Sequence, residues 1–363
     1  GELQIAVNWE HEPAPGSFVV VRLDPNGAPA PWPDPSRLVP AGWRWTGGPI
    51  VQWDTPIPPG EAYELMAKMA QTFEEARMYR VGESYLGTDI WAMDLTAPVR
   101  ASHWSYAKAT TFKPTIIYSA RQHANEVSST SHTLKLAELL LTDPAFRAKL
   151  NKVNVVFHPI TNPDGAQLAY DLYKITPDYM LHAGYLGALG VDVTAGQNDR
   201  DPIYPESPIR PRLWRRWLPD IFLNPHGYPS HEWVQIFSEY AAWVRNRVTE
   251  SRDWWGMRGW FVPGFSYLDD PRYPRHKAAA FKIRDMFSRA VQAVPEVRAL
   301  NARAYARYQR YGFAFDSRNF KVDFTNGVLI YTAIKGGRAR RAGEEAGGPS
   351  GGDFAVTHPN VTI

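Results

Sequence analysis

The segment TIIYSARQHANE, residues 115–126, carries an imidazole and a carboxylate three positions apart, His123 and Glu126. From one loop or helix turn, this spacing lets both side chains close on a single ion. Zinc accepts nitrogen and oxygen donors, and a catalytic zinc takes three protein ligands while keeping a fourth position for water. A third ligand must then come from elsewhere in the chain. His226, in FLNPHGY, follows the apolar run Ile221, Phe222, Leu223 much as His123 follows Ile116, Ile117, Tyr118. Positions just beyond the carboxyl ends of strands are where open α/β sheets place their sites. The metal set read from the sequence is therefore His123, Glu126 and His226, with Zn2+ as the cofactor.

In a chain with 10 histidines the same spacing also describes a loop histidine beside a surface glutamate, so the other candidates need weighing. His158 sits inside a strand pattern and reads as a core residue or a support to a ligand. His132 reads as packed or on the surface. His231 is a candidate for the metal's surroundings, because Pro229 turns the chain back near His226. A ligating histidine usually gives its other N–H to a carboxylate or carbonyl. Asp164 and Asp192 are both candidates for that partner. Of the many tryptophans, Trp214, Trp217, Trp233, Trp254, Trp255 and Trp260 read mainly as buried, with a sugar-stacking cleft as the alternative.

Composition narrows the classes. With 363 residues, 44% apolar and 21% charged, the chain is long enough for one large core and is not a disordered polymer. A net charge of +3 and scattered arginines argue against a nucleic-acid partner. With no cysteine, neither a disulfide framework nor a cysteine-zinc site is available. No apolar run approaches the ~18 residues of a membrane span. The first residues lack the basic start and apolar run of a signal peptide, which suggests a mature or trimmed form. A secreted or extracytoplasmic location is expected.

The elements follow from pattern. Residues 1–58 hold 11 of the 12 prolines found in the first 60 positions and read as a Pro-rich β-like segment, or the end of an upstream module. Residues 59–363 read as the main domain. Within it, residues 61–76 place Leu65, Met66, Met69 and Phe73 at helical spacing. Strands are expected at 78–83, 89–95, 115–118, 152–160, 221–223 and 328–334, and the start of a last one at 358–363. Helices are expected at 127–141, from 144, at 212–218, and over 275–311 with a break at Pro295. Thr161-Asn-Pro-Asp-Gly165 reads as a turn, residues 166–205 as irregular, and 336–352 as a mobile loop. Alternating strands and helices imply a mostly parallel α/β sheet.

Taken in order, the helix over 61–76, VGESYLG at 81–87, Lys113-Pro114, His123-x-x-Glu126, Asn162-Pro-Asp-Gly165 and His226-Gly-Tyr resemble the zinc metallocarboxypeptidases of the carboxypeptidase A type. The resemblance covers roughly residues 60–363. It implies a mixed eight-stranded sheet sandwiched by helices and one zinc on His123, Glu126 and His226. It also implies a metal-activated water, a glutamate as general base, and an arginine that binds the substrate's C-terminal carboxylate.

Three departures accompany the resemblance. The family's Asn-Arg pair should follow Gly190-Val-Asp192, where this chain has Val193-Thr-Ala; the nearest substitutes are Asn198, Arg200 and Arg210. The general-base glutamate would fall just beyond Ile363, with Glu232, Glu344 or Glu345 as substitutes within the chain. The loop at 336–352 lacks a substrate-contacting tyrosine, leaving Arg338 and Phe354 nearest. The expected activity is hydrolysis of a peptide or amide bond near a C-terminus. A non-catalytic binding module and an amidase acting on cell-wall peptides are the alternatives.

Overall fold

The computed structural model describes residues 34–98, 106–179, 182–194, 196–197, 199, 201–226, 264–268, 271, 274–307, 322–335 and 361–362. The chain divides into two compact units, residues 1–171 with 183–219 and residues 172–182 with 220–363.

In the first unit, β1 (Ala76–Glu83) and β2 (Asp89–Leu95) form an antiparallel pair, β2 pairs antiparallel with β4 (Asn154–His158), and β4 pairs parallel with β3 (Thr115–Ser119). Strands β2 and β4 are the inner ones. That position explains why nearly every residue of IWAMDL and all of NVVFH are buried instead of alternating. Gly82, where β1 shifts register, lies against Ile209; a Cβ there would come within 2.7 Å of its Cδ1.

Helix α1 (Pro59–Thr72) opens on a proline, whose missing N–H costs nothing at that position. It buries Tyr63, Leu65, Met66 and Met69 in the same apolar cluster as Trp91, Met93, Val155 and Phe157. Helix α2 spans Tyr106–Phe112, and α3 (Val127–Thr142) runs from the end of the β3 loop. On α3, buried Glu138 accepts hydrogen bonds from Ile50 N (2.9 Å), Val51 N (3.1 Å) and Lys135 Nζ (2.8 Å). This carboxylate ties the incoming chain to the helix. The short α4 (Pro144–Arg147) is capped by Asp143, whose carboxylate accepts from the amides of Ala145 and Phe146.

The sequence TNPDG is a helix start, not a turn. Helix α5 spans Pro163–Ile175, with Asn162 Oδ1 accepting from Gly165 N at 2.9 Å. The irregular stretch expected over 166–205 therefore holds a helix for its first third. Asn before Pro is a turn signal and a helix-start signal alike, and the apolar face behind it decides between them. Helix α6 (Ile209–Trp217) buries Trp214 and Trp217, in line with the structural reading of those tryptophans.

In the second unit, β5 (Ile221–Leu223) pairs parallel with β9 (Val361–Thr362), β9 antiparallel with β6 (Gly264–Leu268), β6 parallel with β8 (Val328–Lys335), and β8 antiparallel with β7 (Val322–Thr325). Helices α7 (Pro274–Ala293) and α8 (Pro295–Arg307) break at the expected proline. The class is α/β as expected. The count of eight strands is not met: four strands lie in the first unit and five in the second among the described residues. The strands that the sequence pattern did not name are β6 and β7, which apolar pattern alone did not separate from their surroundings. Between residues 34 and 58 the only regular element is the 3-10 turn Pro35–Leu38, and the β-like runs expected before it lie outside the described residues.

Candidate metal centre

His123 and Glu126 close the loop between β3 and α3, at the carboxyl end of the strand, as the sequence pattern requires. Both are buried, at 3% and 4% exposure, so neither is a surface residue. His123 Nδ1 stands 2.8 Å from Glu126 Oε1. His123 Nε2 stands 3.1 Å from Asp192 Oδ2, and Thr194 N and Oγ1 donate to Asp192 Oδ1 at 2.9 and 2.8 Å. Burial lowers the imidazole pKa, but the carboxylates of Asp192 and Glu126 more than offset it, and the net direction is upward. Tyr185 lies against the imidazole, ring centroids 4.2 Å apart.

The two aspartates differ in what they face. Asp192 faces His123. Asp164, at the start of α5, instead accepts from Ser84 Oγ (2.6 Å) and Leu86 N (2.9 Å) and holds the β1–β2 turn. Thr194, which stands where the family pattern would have asparagine, is the residue that orients Asp192. Sequence reasoning saw it only as a loss.

The loop is shaped by two buried arginines. Arg121 is fully buried in a left-handed backbone conformation (φ 51°), costly for a side chain of its size. Its Nε donates to Ala124 O at 2.8 Å, and its charge lies close enough to Glu126 for the carboxylate to favour it. Arg210, on α6, donates from Nε to Ser119 Oγ (3.0 Å), from Nη1 to Gln122 Oε1 (2.6 Å) and from Nη2 to Ser119 O (3.1 Å). Ser119 Oγ also stands 2.9 Å from His158 Nδ1 and 3.4 Å from Thr161 Oγ1. His158 is a buried neutral histidine behind the loop, with its pKa pushed down to about 3 by burial and then by Arg210. His132, on α3, is exposed.

His226 follows β5 in the second unit and is half-buried. His123 and Glu126 lie in the first unit and His226 in the second, and each offers a donor that a metal ion accepts. Two imidazoles and a carboxylate suit zinc. Two donors of a tetrahedral zinc, each about 2.0–2.1 Å from the ion, lie roughly 3.3 Å apart. The 2.8 Å between His123 Nδ1 and Glu126 Oε1 is near that spacing, so the pair fits an ion with a small outward adjustment. Arg200, Asn198, His231, Glu232, Glu344, Glu345, Arg338 and Phe354 lie outside the described residues.

With this geometry in place, the comparisons with known proteins can be set beside it. Residues 62–186 match the family model described as zinc carboxypeptidase. The family is zinc-dependent. Among solved structures, a metallo-carboxypeptidase from Burkholderia cenocepacia is 16% identical, over 74% of this chain and 57% of its own, with a TM-score of 0.38. A metallo-carboxypeptidase from Pseudomonas aeruginosa is 22% identical over 45% and 38%, with a TM-score of 0.33. The carboxypeptidase A of Helicoverpa armigera is 17% identical over 53% and 55%, with a TM-score of 0.36. The chain spans about half the length of these structures. No curated protein matches it. No helix among the described residues is long and apolar enough to cross a membrane.

Proposed function

We propose that this chain is a zinc-dependent peptidase that hydrolyses a peptide or amide bond near a C-terminus. The observation that carries the reading is His123 held between Glu126 and Asp192 at the β3–α3 junction, inside the stretch matched by the family. His123, Glu126 and His226 are its metal ligands. Bound there, zinc supplies a Lewis acid that lowers the pKa of a water and polarises a carbonyl. The protein's own residues prepare that position. Asp192, fixed by Thr194, accepts the proton on His123 Nε2 and so presents Nδ1 bare toward Glu126.

The general base is assigned to a glutamate just beyond Ile363. Strand β9 runs parallel to β5, with Ile221 opposite Val361 and Phe222 opposite Thr362. Arg200 is the candidate for the substrate's terminal carboxylate. Arg210, the other arginine considered for that role, is 3% exposed and committed to Ser119 and Gln122. Residues 59–363 form the catalytic domain in this reading, residues 1–58 an appended segment, and the enzyme acts outside the cytoplasm.

The test is zinc content together with cleavage. One zinc per chain, and cleavage of a peptide with a free C-terminus that chelation abolishes and zinc restores, are the expected results. A purified protein that retains no zinc, or a His123→Ala variant that retains it as the parent does, overturns the assignment.

A further inference from the structure

We infer that Arg210 is a positioning residue for the metal loop: from beneath, it holds the segment 119–123 in the shape that presents His123. The inference rests on the zinc reading above and adds to it a residue on an element, α6, remote from either ligand in sequence.

The guanidinium reaches both ends of the loop's first turn. Two of its bonds go to Ser119, the last residue of β3, and the third to Gln122, the residue before His123. A planar fork suits this task because its five donors keep fixed relative directions. From the other side, Asn162 Nδ2 donates to Gln122 O at 3.3 Å. The residue preceding the ligand is therefore held by side chain and by backbone. The Gln122 amide nitrogen lies 3.0 Å from His123 Nε2. Because Gln122 Oε1 is taken by Arg210, its amide nitrogen is the atom turned to the imidazole. The positive charge of Arg210 is also close enough to Asp192 for the two to attract.

A substrate clamp would require guanidinium nitrogens open to an incoming carboxylate. Here Nε, Nη1 and Nη2 each already donate to the protein, and the residue is 3% exposed. The sequence offered Arg210 as a substitute for the carboxylate-binding arginine. The burial and the acceptors favour positioning.

Two readouts separate positioning from clamping. Zinc affinity is measured by competition with a chromophoric chelator. Binding of one peptide in free-carboxylate and C-terminally amidated forms is then compared on the zinc-loaded protein. Arg210→Met is expected to weaken zinc binding about 10–100-fold, the range for lost outer partners of a metal ligand. The preference for the free over the amidated peptide should stay unchanged. Arg210→Lys, able to keep one acceptor but not the fork, should fall between Met and the parent. Gln122→Leu leaves the arginine in place and severs its link to the ligand-bearing end together with the amide's contact to His123; it should also weaken zinc binding, and it carries the test if Arg210→Met does not fold. Parent-like zinc affinity in Gln122→Leu or in a folded Arg210→Met variant overturns the inference, as does selective loss of the free-carboxylate peptide in Arg210→Lys. A parent protein that binds no zinc defeats the peptidase reading itself, a distinct result.

Discussion

Asp192 Oδ2 lies 3.1 Å from His123 Nε2, on the side of the ring opposite the 2.8 Å contact between Nδ1 and Glu126. In the zinc reading, a proton held on Nε2 by the aspartate leaves Nδ1 as the nitrogen for the ion. Asp192→Asn keeps the shape but can turn its amide toward Nε2 and favour the wrong tautomer. Zinc affinity should fall about 10–100-fold. Thr194→Val, which leaves Asp192 charged but removes one donor to its Oδ1, should have a smaller effect in the same direction. Isothermal titration of both variants with zinc checks the order; an Asp192→Asn protein that binds zinc like the parent would contradict it.

His158 links protonation to stability. Its folded pKa is depressed to about 3, from an ordinary value near 6.5 in the unfolded chain. Between these values the unfolded state binds the proton and the folded state does not. This residue's contribution is therefore complete above about pH 6.5 and declines as pH falls toward 3. His158→Gln should show a shallower loss of stability across that window than the parent in denaturant titrations. Equal slopes would mean that His158 is not held neutral.

Removing the Glu138 carboxylate leaves the amides of Ile50 and Val51 without their acceptor in a buried place. The cost of such orphaned groups is roughly 1–3 kcal/mol. Glu138→Ala should lower stability by at least that amount, since it also opens a gap. Glu138→Gln, which keeps one acceptor oxygen, should lose less. A thermal melt of the two variants against the parent gives the comparison.

Gly165 is required by closeness. A Cβ at this position would run into the Leu186 carbonyl oxygen and the Asn162 side chain that starts α5. Gly165→Ala should destabilise by about 1–3 kcal/mol, the usual result of forcing an extra carbon into filled space, despite alanine's better helix propensity. Stability unchanged or raised would show that α5 can shift to make room.

The first half of the site was legible because its chemistry and its positioning share one segment. Ile116, Ile117 and Tyr118 declare a strand, and His123 and Glu126 follow at a fixed short distance, so β3, the loop and α3 emerge with boundaries within a residue or two. The supports were less legible because they come from distant segments. Nothing in Gly190-Val-Asp192 distinguishes a partner for His123 from Asp164 in TNPDG; only folding decides which reaches Nε2. Arg210 was noticed for its charge, and burial gave that charge another use. Some signals were present but not taken. Asn326-Gly327 is a strong two-residue hairpin pair, and both residues adopt positive φ (48° and 77°) between β7 and β8. Residues 264–268, with aromatic and apolar residues after a proline and glycine, form β6 without any periodicity to announce it.

That hairpin turn also sets how the molecule ages. Asn-Gly bonds are the ones in which the side-chain amide is most readily lost to a cyclic imide, since glycine offers the ring closure little hindrance. The Asn326 amide donates to Asp285 Oδ1 at 2.6 Å and to Ser288 Oγ at 2.9 Å, both on α7. Deamidation would put a second carboxylate opposite Asp285, turning a tether into a repulsion. Stored protein that deamidates here would loosen its grip between the β7–β8 hairpin and α7, with a one-dalton mass gain at this tip as the mark.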